Sequence, residues 1–146
     1  MSRIFLLFLT LKINCISLSI QEEIELKDLL PDELENLMDS LTSEEEEKFV
    51  NSENVEDPEL AVKLMTSYQL INEKTSKLNQ PARDFLNDLF NDLYESDDKE
   101  LKGLSQKYLG RWNLLSESER TGVQVVYPKI FNTLNSKKFK DFAKMK

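Results

Sequence analysis

The chain has 146 residues, about the length of one domain, and 40% of them are hydrophobic. It contains no histidine and a single cysteine, Cys15. The usual general base is therefore absent, and Cys15 is the one side chain of the types that zinc prefers as ligands. The formal net charge of -8 disfavours a nucleic-acid partner, and also an anionic membrane as the main partner, because both repel an acidic body. We therefore expect no enzyme, no catalytic residues, no cofactor and no metal site.

The N-terminal stretch has the layout of a secretory signal peptide. Arg3 supplies the positive charge, an apolar run follows over residues 4–11, and Ser17 and Ser19 are small residues suited to a cut after Ser19. The alternative is an uncleaved membrane anchor, but the apolar run falls short of the roughly 20 residues that span a bilayer. We expect a signal peptide at residues 1–19 and a secreted domain at residues 20–146, which would lack Cys15 and therefore any disulfide.

The secreted domain is predicted to open with two short amphipathic helices. Pro31 is placed as a first helical residue, and the apolar residues after it recur every three or four positions. The second helix begins after Thr42, whose hydroxyl can accept a hydrogen bond from the Glu45 amide while the Glu45 carboxylate accepts one from the Thr42 amide. This capping box, with Phe49 as an inward anchor, predicts a helical corner with an acidic outer face.

Two longer helices follow. The first is capped by Asp57 and has Pro58 in its first turn. Its expected inward stripe comprises Ala61, Leu64, Met65, Tyr68, Ile71, Thr75 and Leu78. The second begins at residues 79–81 and has the strongest helical periodicity in the chain. Its expected buried face comprises Ala82, Phe85, Leu86, Leu89, Phe90 and Leu93.

The remaining helices complete an all-α fold. The next helix is expected to turn Leu101, Leu104, Tyr108, Leu109 and Trp112 inward. A second capping box, Ser116 with Glu119, then opens a helix that Pro128 should end or kink. A single terminal helix is expected to bury Ile130, Phe131, Leu134, Phe139 and Phe142. No stretch alternates polar and apolar residues as a strand does, so we predict no strand.

Charge is unevenly distributed along the chain. The C-terminal end holds Lys137, Lys138, Lys140, Lys144 and Lys146. These lysines suit the negative end of a solvated last helix, and a transient contact with membranes is the alternative interpretation. Acid pairs such as residues 97–98 lack the alternating ligands and glycine of an EF-hand loop, so we interpret them as solvated surface rather than a calcium site.

Several segments, in chain order, resemble motifs of the nematode fatty-acid- and retinol-binding protein family. Residues 29–45 run from Leu-Leu-Pro-Asp-Glu to Leu-Thr-Ser-Glu-Glu, and residues 78–85 resemble the start of a later family helix. Residues 115–119 and 127–131 resemble its last helices. The resemblance covers nearly all of the mature chain and implies a wedge-like helical bundle with an apolar cavity. It also implies a secreted carrier of long-chain fatty acids and retinol, which we expect to be a monomer.

Such a carrier needs one site for the lipid tail and another for the carboxylate. The expected tail-lining residues are Leu64, Tyr68, Phe85, Leu89, Phe90, Leu104, Tyr108, Trp112, Val123 and Phe131. Arg111 and Arg120 lie on or beside apolar faces and are the expected carboxylate partners, although either could extend its charge into solvent.

Two alternatives stay open at this point. Without the resemblance, we interpret the same apolar residues as ordinary core. The chain would then be a secreted helical module that binds a partner protein. Thr42 and Ser43, followed by acids, also fit an acid-directed kinase consensus found in the family, whereas helix capping alone is a sufficient role for Thr42.

Overall fold

The computed structural model describes residues 24, 26–50, 57–96 and 99–145. The predicted signal peptide with Cys15, the acid pair at 97–98 and Lys146 lie outside the described residues. A short 3-10 turn, Leu26–Leu29, precedes helices α1 Asp32–Ser40, α2 Ser43–Val50, α3 Pro58–Ser76 and α4 Gln80–Glu95. Helices α5 Leu101–Leu114, α6 Glu117–Val126, α7 Pro128–Asn135 and α8 Lys137–Lys144 follow. No strand occurs in these residues, and the all-α prediction is confirmed.

Both predicted capping boxes are confirmed, and they fix where α2 and α6 begin. The Thr42 amide donates to Glu45 Oε2 at 2.8 Å, and the Glu45 amide donates to Thr42 Oγ1 at 3.2 Å. The Ser116 amide donates to Glu119 Oε2 at 2.7 Å, and the Glu119 amide donates to Ser116 Oγ at 3.2 Å. Each box satisfies two amides at a helix start that would otherwise lack partners.

Prolines and a short polar side chain mark the starts of α1 and α3. Asp57 Oδ1 accepts from the amides of Glu59 and Leu60, so α3 begins at Pro58 as predicted. Pro31 instead adopts an extended conformation with ψ of 143°, and α1 begins one residue later than predicted.

The C-terminal segment differs from the sequence-based expectation. Pro128 ends α6 as predicted and starts α7. The expected single terminal helix is in fact two, α7 and α8, because Ser136 is extended and its hydroxyl accepts from the Phe139 amide at 3.0 Å, which caps a new helix. The break lets α8 pack against α5 as well as α7.

Helix α4 packs against α3, α5 and α6. The six residues of its predicted stripe are all buried, which confirms that prediction. Helix α1 packs on α3, and α7 packs on α6 and the 3-10 turn. Among the residues that the structure describes, no helix is both long enough and apolar enough to cross a membrane.

The predicted face of α3 is partly wrong. Met65 and Tyr68 were expected inside, but they are 51% and 36% exposed, whereas Leu60 and Ser67 are buried. Apolar residues occur all around α3, so periodicity alone does not select one face. Contact with α1 and α4 decides which side is covered.

Candidate functional site

Four of the predicted tail-lining residues form a row of touching aromatic rings across α4, α5 and α7. The Phe85 ring centroid lies 5.7 Å from that of Tyr108 and 5.6 Å from that of Trp112, which lies 5.8 Å from that of Phe131. Phe85, Tyr108 and Trp112 are each buried. In this conformation the row is packed core, and a lipid would reach it only if the helices moved apart.

The other six tail candidates are more scattered. Buried members outside the aromatic row are Leu64, Leu89, Phe90 and Val123. Leu104 is half-buried against the core, while Tyr68 lies on the surface of α3. Tyr68 is therefore separated from the aromatic row, and the enclosed cavity stays a prediction.

The two predicted carboxylate partners have different surroundings. The Arg111 guanidinium carbon lies 5.8 Å from the Phe85 ring centroid and 5.4 Å from that of Tyr108, at the border of the aromatic row. Its Nη2 donates to Asp88 Oδ2 at 2.8 Å, so the protein already supplies Arg111 with a carboxylate. Arg120 is half-buried on α6, and its guanidinium has no ion pair with any residue that the structure describes. A role for either in ligand binding stays a prediction.

A polar cluster beside Arg111 joins α4 to α5. The Tyr108 hydroxyl and Lys107 Nζ both donate to Asp92 Oδ2 at 2.6 Å. Burial raises the pKa of Tyr108 well above its ordinary value, and the bond to Asp92 adds to this. Burial also raises the pKa of Asp92, but the hydrogen bonds from Lys107 and Tyr108 outweigh it and lower that pKa overall. Because Tyr108 stays neutral and Asp92 stays charged near neutral pH, the cluster is a charged, hydrogen-bonded link that fastens α4 to α5.

The structure reveals a groove between α1 and α3 that sequence reasoning did not identify. Its volume is about 320 Å³, at the small end of the range for ligand sites. The α1 wall comprises Glu33, Asn36, Leu37 and Ser40, and the α3 wall comprises Val62, Lys63, Thr66, Ser67 and Leu70. Leu37, Val62 and Leu70 are its apolar members, and the charged members Glu33 and Lys63 stand near opposite ends.

At one end, Lys63 is held by acceptors from the α1–α2 corner. Its Nζ donates to both carboxylate oxygens of Glu45 at 2.8 Å and to the Ser40 carbonyl at 3.2 Å. The hydrogen bond from Lys63 lowers the pKa of Glu45, and the bond from the Thr42 amide adds to this. Every oxygen of the Glu45 carboxylate therefore has a partner.

At the other end, Lys74 pairs with Glu33, whose side chain is only 11% exposed. One carboxylate oxygen, Glu33 Oε2, is buried and has no hydrogen-bond partner among the described residues. Lys63 and Lys74 are eleven residues apart on α3, which corresponds to about 16 Å along a helix axis. Lys63 thus lines the groove at the end beside the α1–α2 corner, and Lys74 lies just beyond the other end, where it pairs with Glu33 in the first turn of α1.

Tyr127, at the start of α7, stands beside Lys74. The Lys74 ammonium lies 5.4 Å from the Tyr127 ring centroid. The Tyr127 hydroxyl is 2.8 Å from Thr75 Oγ1 and donates to the Ile71 carbonyl at 3.1 Å. Burial raises the pKa of Tyr127 to about 12, with a further contribution from the nearby negative charge of Glu33.

The groove was missed because the pairs that define it are distant in sequence. A spacing of four, three and four residues places Lys63, Ser67, Leu70 and Lys74 on one stripe of α3. That stripe was a signal in the sequence, but two lysines at its ends also suit a solvated face. Glu33 lies 41 positions before Lys74, and only the packing of α1 on α3 brings the two together.

Other kinds of site receive no support from the described residues. No group of three or more acidic or cysteine side chains is arranged there to hold a metal ion. Thr42 has a structural role as a helix cap. Comparison of this sequence with protein-family models, with curated proteins and with solved structures finds no match.

Proposed function

We propose that this protein is a secreted, monomeric carrier that binds long-chain fatty acids, with retinol as a second ligand. The observation that supports the proposal is the α1–α3 groove. Leu37, Val62 and Leu70 supply its apolar surface, Lys63 lines one end, and Lys74 lies one helical turn beyond Leu70, paired with the lining residue Glu33. An amphiphile with a long apolar chain and an anionic head group matches this arrangement, because its chain can lie against the apolar side chains and its head group can meet a lysine. No turnover is involved, since the protein only shields the chain from water and releases it.

The lipid chain supplies most of the binding free energy. Removing each methylene from water contributes roughly 0.8 kcal/mol, so a long chain gains on the order of 10 kcal/mol before ordering costs are subtracted. In the groove, Leu37, Val62 and Leu70 are the side chains available to cover it. A small movement of α1 toward the chain would cover more of it, because α1 forms one wall of the groove.

A dansylated fatty acid provides the test. Binding should shift its emission to the blue, and oleate should reverse the shift. Leu70→Glu places a charge in the groove and should weaken binding at least about tenfold, a change of about 1.4 kcal/mol. Val125 is 78% exposed on α6 and lies outside the groove, so Val125→Glu is the matched control and should bind as the wild type does.

Two results would contradict this proposal. The first is no spectral shift with micromolar wild-type protein. The second is equal binding by Leu70→Glu and the wild type, which would remove the groove as the site even if the protein binds lipid. In that case the aromatic row predicted from the sequence would be the next region to test.

A protein-interaction module is the second candidate function, and one observation favours it. Val62, Met65 and Leu70 on α3 are 63%, 51% and 46% exposed, an unusual density of large apolar side chains for a surface helix. A partner helix could cover this surface. The fluorescence experiment separates the two candidates, because a module without a lipid ligand would not give a signal that oleate displaces.

The N-terminal sequence of the secreted protein tests the proposed secretion. Material recovered from the medium should begin near Ile20, since the apolar run of residues 4–11 is short for an anchor. Recovery of membrane-bound protein that begins at Met1 would contradict this part of the proposal. The transient membrane contact proposed for the C-terminal lysines would be seen as faster lipid release to anionic than to neutral vesicles.

A further inference from the structure

We infer that Lys74 is the binding residue for the ligand's carboxylate, and that Glu33 occupies this place as an internal competitor in the ligand-free protein. The inference rests on the proposed carrier function and assigns its head-group site. It differs from the sequence-based expectation, which placed the carboxylate at Arg111 or Arg120. It also predicts a preference for carboxylate amphiphiles over neutral ones of the same chain length.

The two glutamates that pair with the groove lysines differ in how well they are satisfied. Glu45 receives hydrogen bonds from Lys63 on both oxygens and a further one from the Thr42 amide. Glu33 has an ion pair with Lys74 through Oε1, but its Oε2 is buried without a partner in the part of the chain that the structure describes. A buried acceptor that lacks a hydrogen bond is destabilising. Glu33 is therefore the carboxylate that is more easily displaced.

Charge balance makes the exchange between carboxylates feasible. When a fatty acid carboxylate replaces that of Glu33, Lys74 keeps a negative partner, so its ammonium is not left unpaired at the edge of the core. The Glu33 carboxylate leaves the site for solvent, where water satisfies both of its oxygens. A neutral alcohol cannot make this exchange, because it offers Lys74 no negative charge.

The position of Lys74 also suits a head group. It lies one turn beyond Leu70, which lines the groove, on the same stripe of α3. A chain lying along the apolar wall therefore ends at the Lys74 ammonium, which is fixed beside the Tyr127 ring. Lys74 is also partly open, with a side chain 37% exposed, so an incoming carboxylate can approach it from solvent.

Displacement of Glu33 would remove one of the ion pairs at the N-terminal end of α1, where Lys129 also pairs with Asp32 and Glu35. The Lys63 bonds to Glu45 and to the Ser40 carbonyl would hold the other end. We therefore expect the N-terminal half of α1 to shift slightly when a fatty acid binds, within the limits that the Lys129 ion pairs set, while the α1–α2 corner stays in place. This movement would let the wall of the groove adjust to chain length.

The test compares binding of oleate with binding of oleyl alcohol, which has the same chain and a neutral head. Glu33→Gln removes the competing charge and should bind oleate about tenfold more tightly, with oleyl alcohol unchanged. Lys74→Gln should bind oleate at least about tenfold more weakly, again with little effect on the alcohol. Glu73→Gln and Lys77→Gln alter exposed residues of the same types and are the matched controls.

Lys74→Gln leaves Glu33 buried without its cation, and this alone can destabilise the single variant for reasons unrelated to ligand binding. The double variant Glu33→Gln/Lys74→Gln removes both charges and avoids this problem. Relative to Glu33→Gln, it should lose at least about tenfold in oleate affinity with the fold intact by circular dichroism. A folded double variant that binds oleate as tightly as Glu33→Gln would overturn the assignment of Lys74.

Two further outcomes also decide against the inference. Oleate affinity of Glu33→Gln within about twofold of wild type would show that Glu33 does not compete. A larger loss of oleate binding in Arg111→Gln or Arg120→Gln than in Lys74→Gln would place the carboxylate where the sequence predicted it. If the wild type binds neither oleate nor oleyl alcohol, the carrier function itself fails, and this result is distinct from the other two.

Discussion

The hydrogen bond between Tyr127 and Thr75 gives a prediction that can be worked out from the structure. It joins α3 to the start of α7 and is buried, with Thr75 4% and Tyr127 3% exposed. Tyr127→Phe keeps the ring that packs edge-on against Phe90 at 5.9 Å. It removes only the hydroxyl, together with its bonds to Thr75 and to the Ile71 carbonyl.

The expected cost follows from the groups that lose a partner. Each hydrogen bond contributes roughly 0.5–1.5 kcal/mol net, and a buried hydroxyl left without a partner costs about 1–3 kcal/mol. Tyr127→Phe leaves the buried Thr75 hydroxyl without its partner, so we expect the free energy of unfolding to fall by about 1–3 kcal/mol. For a domain of this size the melting temperature should fall by roughly 3–5 °C for each kcal/mol.

A double-mutant cycle with Thr75→Val isolates the interaction. Each single variant leaves a polar group without its partner, whereas Tyr127→Phe/Thr75→Val removes both. The double variant should therefore be more stable than the sum of the two single effects implies, by about 0.5–3 kcal/mol. Thr66 is exposed on the same helix, so Thr66→Val controls for the effect of valine on α3. Urea denaturation followed by circular dichroism gives all five free energies.

Additive effects in this cycle would refute the reasoning. They would mean that the two hydroxyls are not coupled in the folded protein, and that Tyr127 does not join α3 to α7 through this bond. A cost for Thr66→Val as large as that for Thr75→Val would point instead to the helix propensity of valine.

Three further predictions concern stability. Folding raises the pKa of Tyr127 from 10.0 to about 12. The unfolded state therefore loses this proton first, and the free energy of unfolding should fall between about pH 10 and pH 12. Alkaline titration should show a smaller fall for Tyr127→Phe than for the wild type. Phe85→Asp should unfold the domain, because it puts a charge into the buried aromatic row and removes the ring that touches Tyr108 and Trp112. Val125→Asp on the surface should not unfold it, and a cooperative, unchanged melting curve for Phe85→Asp would contradict the assigned core. The pKa of Glu45 is lowered, chiefly by Lys63, so its stabilisation is present above its ordinary pKa of 4.5 and is lost as pH falls below it. Glu45→Gln should therefore be less stable than wild type at pH 7, and the difference should shrink in acid; a difference that is the same at pH 7 and pH 3 would contradict the role of this charge.

The features that the sequence by itself determined are those set by neighbours along the chain. The capping boxes at Thr42 and Ser116 depend on a side chain three residues away, so their residues and spacing are sufficient to place them. The same holds for α4, where apolar residues occupy one face and polar residues the other, so that only one face can be buried. Phe85, the member of the aromatic row that lies on α4, was predictable for this reason, and the end of α6 was predictable from the ring of Pro128.

Tertiary structure decided the features for which the local pattern has more than one solution. Apolar residues surround α3, and only the packing of α1 and α4 covers Leu60 and Ser67 and leaves Met65 and Tyr68 outside. The separation of α7 from α8 likewise accompanies the packing of α8 against α5.

The candidate site depends on tertiary contacts most of all. Glu33 and Lys74 are ordinary members of charged helix surfaces in the sequence, and their pairing exists because α1 lies along α3. The local pattern of apolar and polar residues repeats every three or four positions and carries no information about a partner 41 positions away. The sequence therefore determined which residues are helical and which are apolar, while the docking of α1 on α3 determined which charges meet and where a groove remains.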